Sequence, residues 1–168
     1  PPREIVQQDP VVQALMLGKD GTTTIVGAGE AGARLVNAAT GEAIRMLEGQ
    51  DGVVTSVTLS ADQAMAAAGT DKGAVQLWKS DDGTAGGTLR GHVGSVTAVV
   101  LGKQPGQVFT AGTDGTIRIW NTAPNSNFHE DRLGEVTAVA YSLDGSMVAL
   151  GLPIQERSGI LVRDLLSG

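Results

Sequence analysis

Four short runs repeat one pattern at one spacing: Val12-Gln13-Ala14-Leu15, Val54-Thr55-Ser56-Val57, Val96-Thr97-Ala98-Val99 and Val136-Thr137-Ala138-Val139. Their first residues lie 42, 42 and 40 positions apart. A second landmark closes each unit's third apolar run, at Asn37, Lys79, Asn121 and Asp164, and steps by 42, 42 and 43. Two landmarks with one period define a repeat. A unit of this length cannot bury its apolar face alone, so it must stack on its neighbours.

Within a unit the pattern is that of strands. Val96 to Leu101 alternates, Lys103 to Gly106 is a turn, Val108 to Gly112 is a second strand and Thr116 to Trp120 a third. Thr113-Asp114-Gly115 between them is a tight hairpin turn. A fourth strand is legible at Ala43 to Leu47 and at Gly87 to Leu89. Glycine, 24 of 168 residues, suits many tight turns and disfavours a helical bundle. The boundaries fall near 9–48, 49–90, 91–131 and 132–168, with 3–8 as an orphan outer strand.

Gly91-His92, Val96-Thr97-Ala98-Val99 and the run Thr110-Ala111-Gly112-Thr113-Asp114-Gly115-Thr116-Ile117-Arg118-Ile119-Trp120-Asn121 together resemble the Trp-Asp (WD) repeat family of β-propellers. The third unit matches nearly throughout, the second from Gly69 to Trp78, and the first and fourth only in period, first strand and turns. The resemblance implies an all-β fold of four four-stranded antiparallel sheets, arranged as propeller blades in a half-ring or a segment of a larger propeller. It implies a structural tetrad of His92, Thr110, Asp114 and Trp120, in which the indole donates to the hydroxyl, the hydroxyl meets the imidazole and the imidazole meets the carboxylate. It implies a non-catalytic protein-interaction scaffold that binds a protein or peptide at a rim of entry loops and hairpin turns. Here the rim positions are Gln50, Asp51, Val93, Ser95, Arg132 and Glu135. The other units depart from the tetrad: Gln50 and Lys72 replace the His and Asp in unit two, and Arg132 and Arg163 replace the His and Trp in unit four. In unit one Val36 holds the Trp position and the His position falls near Gln8. Those units are expected to rest mainly on apolar packing and ladder hydrogen bonds.

Two rival readings use the same residues. A Thr-His-Asp set is formally a hydrolase triad, but a nucleophilic hydroxyl must face a cleft and not pack beneath an indole. Gly27-Ala28-Gly29-Glu30-Ala31-Gly32 follows a strand and is formally the G-x-G-x-x-G of a dinucleotide-binding enzyme, with Glu48 downstream. The repeat register assigns those glycines instead to a strand end and a hairpin turn. A purely architectural module is a third alternative. No cofactor, catalytic residue or metal site is expected. His129-Glu130-Asp131 reads as a solvated loop, because adjacent residues rarely converge on one ion. Ser80-Asp81-Asp82-Gly83 lacks the alternating ligands of a calcium loop.

The net charge of −6 and the lack of a Lys/Arg cluster argue against nucleic acid and against a membrane surface. No run of 18 apolar residues offers a span. No leader is visible behind Pro1-Pro2-Arg3, so the cytoplasm is the default expectation unless a segment precedes it. Arg3-Glu4-Ile5-Val6 stands before unit one as Arg45-Met46-Leu47 stands before unit two. The expectation is therefore a homodimer in which two chains form one eight-bladed ring and exchange this strand. The alternative is a longer chain that supplies the further blades.

Overall fold

Alternating runs joined by short glycine turns fold as antiparallel meanders. The computed structural model describes residues 11–122, 129–132, 138–141, 147–154 and 157–164. The first sheet has the order β1 (Ala14–Leu17), β2 (Thr23–Gly27), β3 (Ala33–Asn37), β4 (Ala43–Leu47). The second follows as β5 (Val54–Leu59), β6 (Met65–Thr70), β7 (Ala74–Lys79), β8 (Ala85–Arg90), and the third as β9 (Val96–Leu101), β10 (Gln107–Gly112), β11 (Thr116–Asn121), β12 (His129–Arg132). The fourth contains β13 (Ala138–Tyr141), β14 (Met147–Ile154) and β15 (Arg157–Asp164). All pairings are antiparallel, and no helix occurs among the described residues. The all-β class and the blade-like sheets agree with the sequence.

The sheets pack face to face, so the second is covered on both sides. Its β6 reads Met-Ala-Ala-Ala-Gly-Thr and is buried from Ala66 onward. Small side chains there let neighbouring sheets approach closely. Ala66, Ala68 and Trp78 turn toward the first sheet, joining Ile25, Ala33, Leu35 and Leu47 in one apolar cluster. Ala67, Val75 and Leu77 turn the other way, onto Val96, Val99 and Val108 of the third sheet. The two-residue period of a strand produces this division. Burial at about 25 cal/mol per Å² of apolar surface makes these junctions the main source of stability.

Several readings need correction. His129-Glu130-Asp131 is not a loop: with Arg132 it forms β12, the outermost strand, paired to β11 from Thr116↔Arg132 to Ile119↔His129. An edge strand carries no apolar run, which is why the sequence hid it. Arg132, read as a rim position, is the last residue of that strand, as Arg90 is of β8. Gly27 to Gly32 does not lead into a helix, because β2 and β3 pair antiparallel from Gly27↔Ala33 onward. Gly29 and Gly32 take φ of +59° and +85° in the hairpin, so the context of a dinucleotide fingerprint is missing. Gln8, Glu135 and the Arg3–Val6 segment lie outside the described residues.

Candidate functional site

The third sheet gathers its polar residues on one face. Thr110 and Gly112 alternate along β10, and Thr116, Arg118 and Trp120 along β11, with Thr110 opposite Arg118 and Val108 opposite Trp120. His92 enters from the loop between β8 and β9 and lies on this face with its side chain fully buried. The Trp120 indole donates to Thr110 Oγ1 at 2.8 Å. Thr110 Oγ1 stands 2.7 Å from His92 Nε2, and His92 Nδ1 is 3.0 Å from both carboxylate oxygens of Asp114. The donor count assigns the tautomer: Thr110 accepts from the indole and donates to Nε2, which leaves the Nδ1 proton for Asp114.

Asp114 is the hub. Burial pushes its carboxyl up, but four hydrogen bonds outweigh that and hold it well below the usual carboxylate range. The donors are the Val93 N–H, His92, and the hydroxyl and N–H of Thr116. The Val93 N–H bond is 2.9 Å and the Thr116 hydroxyl bond 2.8 Å. Arg118 extends the set, with Nε donating to Thr116 Oγ1 at 3.3 Å and its guanidinium carbon 6.0 Å from the Trp120 ring centre. The sequence reading did not include Thr116 or Arg118. The signal was available, since a Thr two residues after a turn Asp is a ready local donor. Two glycines make room: a Cβ on Gly112 would collide with His92 Nδ1, and one on Gly91 would come within 2.5 Å of Arg118 and 3.0 Å of Trp120. Thr110 is 2% exposed and His92 is buried beside it.

The second sheet answers the same positions differently. One repeat earlier, Ala68 stands for Thr110, Lys72 for Asp114, Gln50 for His92 and Asp51 for Val93. Trp78, fully buried, is nevertheless paired: its indole donates to the Glu48 backbone carbonyl at 2.7 Å. The expectation that this repeat rests on packing and ladder bonds is thus incomplete. Lys72 Nζ reaches Asp51 at 2.8 Å, and Arg90 approaches the same carboxylate at 3.5 Å. Lys72, and less strongly Arg90, lowers the Asp51 pKa, and Asp51 in turn raises that of Lys72.

The remaining rim candidates separate. Val93 is 79% exposed. Ser95 is half-buried, its N–H donating to Thr113 Oγ1 at 3.0 Å. Gln50 is half-buried over Gly32, with Oε1 buried and unpartnered. The second sheet's hairpin meets the third sheet's entry loop, since a Cβ on Gly73 would strike the His92 carbonyl. Asp51, Lys72, Arg90 and Val93 thus come together at one end of the second and third sheets. No group of three or more His, Cys, Asp or Glu able to hold a metal occurs among the described residues. No described helix is long and apolar enough to cross a membrane.

Comparison with known proteins gives this arrangement its class. Residues 41–79 and 83–121 match the model of the WD domain, G-beta repeat. A crystal structure of the RRP9 WD40 repeats superposes with a TM-score of 0.75 at 16% identity, covering 89% of this chain and 47% of that one. The chain thus spans about half the length of the structure it resembles. No curated protein matches the sequence. Residues 41–79 and 83–121 thus carry two WD repeats, and the fold as a whole resembles that of a WD-repeat β-propeller.

Proposed function

We propose that this chain is a non-catalytic scaffold that binds a protein or peptide partner at the rim formed by Asp51, Lys72, Arg90 and Val93. The observation that carries the reading is the division of labour between the two ends of the polar network. His92 is sealed beneath the sheet, with its imidazole committed to Asp114 and Thr110. Val93, the next residue, stands 79% exposed, in the entry loop that the Lys72–Gly73 turn abuts. His92, Thr110, Asp114 and Trp120 fix the loop, and the exposed neighbour is presented. An exposed aliphatic residue on a rigidly held loop suits the centre of a modest protein contact. Recovery of bound proteins from source lysate should be compared between wild type and a Val93→Asp, Lys72→Glu variant. Loss of specific bands in the variant is expected, and identical recovery by both would overturn the rim assignment.

A second reading concerns assembly. The face of the first sheet turned away from the second sheet exposes Leu15, Leu17 and Met46 at 67%, 52% and 49%. Apolar area of that kind favours a covering partner. The proposed cover is a second copy, which would complete a ring of eight blades. Light scattering on the 17.1 kDa chain is expected to show a dimer, which Leu15→Lys, Leu17→Lys should dissociate. A well-folded monomer at micromolar concentration would rule this out and point to further blades of a longer chain.

A further inference from the structure

We infer that Met16 is a redox-responsive modification site: peroxide converts its thioether to a sulfoxide and thereby loosens the contact between the first two sheets. The Met16 sulfur accepts two hydrogen bonds across that junction, from the Leu59 N–H at 3.3 Å and from the Thr58 hydroxyl at 3.4 Å. Sulfur is a weak acceptor, so two donors on one thioether need a backbone reason.

The ladder supplies that reason. The Ser60 N–H donates to the Met65 carbonyl at 2.9 Å, toward β6. Successive N–H groups of a strand point to opposite edges, so the Leu59 N–H points the other way, to the inner edge of β5. That edge is open within the sheet, where β5 stands first and pairs with β6. Leu59 is buried, and a buried N–H needs a partner. The Met16 sulfur is that partner. Thr58, also buried, has a second acceptor in the Leu59 carbonyl, but at 3.5 Å. The arrangement belongs to this junction: one repeat later, Thr58 itself stands in the place of Met16 and Leu101 in that of Leu59.

Met16 is also within reach of a small oxidant, since the residue is 39% exposed. Met46 is exposed as well, but it lies on the far face of the first sheet. Met65 is packed against the apolar cluster of the second junction. The reaction is a transfer of one oxygen. A sulfur lone pair forms the S–O bond, the O–O bond of hydrogen peroxide breaks, and the other oxygen leaves as water. Sulfur loses two electrons to the peroxide. The product is polar and bulkier at the sulfur. At 3.3 and 3.4 Å there is no room for an oxygen between the sulfur and either donor, so the side chain must withdraw from β5. Its strand offers little resistance, because β1 is itself the edge of its sheet and pairs with β2. None of the rim residues takes part.

The test is to treat the folded chain with the peroxide dose that oxidises every methionine of the urea-unfolded chain. Peptide mass spectrometry follows Met16, and urea midpoints are read at one protein concentration. The expected result is a Met16 sulfoxide and a midpoint lowered by about 0.5 M, as the loss of one buried hydrogen bond would give. Met16→Leu keeps the other methionines and should lose little on the same treatment. Thr58→Val removes one of the two donors and should lose less on oxidation than wild type. Circular dichroism confirms that each variant is folded. Met16 unmodified at that dose, a midpoint unmoved by its sulfoxide, or a loss in either variant as large as in wild type overturns the assignment.

Discussion

Lys72 and Asp51 meet at 2.8 Å, at the positions Asp114 and Val93 hold one repeat later, where the carboxylate accepts the Val93 N–H at 2.9 Å. Both pairs tie an entry loop to a hairpin turn. One does so with a charge-assisted hydrogen bond to a carboxylate only 10% exposed, the other with an ion pair exposed on both sides. Salt screens the second far more than the first. Lys72→Ala should lower the denaturant midpoint slightly in dilute buffer, and the difference from wild type should vanish in about 1 M NaCl, where the screening length falls to about 3 Å. A difference that persists in salt would show that Lys72 acts through packing.

The two tryptophans make a matched comparison. Trp120→Phe removes the donor to Thr110, whose hydroxyl keeps His92. Trp78→Phe removes the donor to the Glu48 carbonyl from a fully buried site. Each lost bond should cost about 1–3 kcal/mol, and the Trp78 change at least as much as the Trp120 change. Denaturant midpoints check both. An unchanged midpoint for Trp78→Phe would mean that the indole–carbonyl bond contributes nothing.

These residues also show what the sequence could reveal. The third sheet's network was legible because Thr110, Asp114 and Trp120 stand at fixed offsets in one hairpin and His92 at a fixed offset in the loop before the sheet. The turns were legible because Gly73 and Gly115 sit at φ of +77° and +73°, where glycine is the low-cost choice. The Trp78 acceptor was not legible, since a backbone carbonyl leaves no mark on residue type. Outer strands were harder for a related reason. All of β8 except Leu89 is exposed, so the sequence marks only Gly87 to Leu89 of it, and β12 reads His-Glu-Asp-Arg, the pattern of a loop.

Asp114 predicts an acid dependence. Its folded pKa is depressed below an unfolded value of about 3.9, so the unfolded chain takes up the proton first. The stabilisation is fully present above the unfolded value and is lost as pH falls through the carboxylate range toward the folded one. Asp114→Asn should cost about 1.5–3 kcal/mol at neutral pH. The variant should also lose less stability than wild type between about pH 5 and pH 2. Urea midpoints at several pH values measure this, and parallel curves for the two proteins would remove Asp114 from the account.

Gly112 offers the sharpest test of why the two repeats differ. A Cβ there would collide with His92 Nδ1 and come within 2.9 Å of Asp114 Oδ1. The obstacle is side-chain crowding, since Gly112 is not among the positive-φ glycines. One repeat earlier the position is Thr70, fully buried and donating to the Ala74 carbonyl at 3.2 Å, in a sheet where Gln50 and Lys72 replace the imidazole and carboxylate. The glycine and the histidine therefore belong together. Gly112→Ala in the wild-type chain should cost about 2 kcal/mol or more, as an overpacked buried site does. In a His92→Gln background the same change should cost markedly less, because the ring it strikes is gone. The two single variants and the double variant form a thermodynamic cycle, with an expected coupling of about 1 kcal/mol or more. Additive losses would show that Gly112 is required by the backbone and not by the histidine.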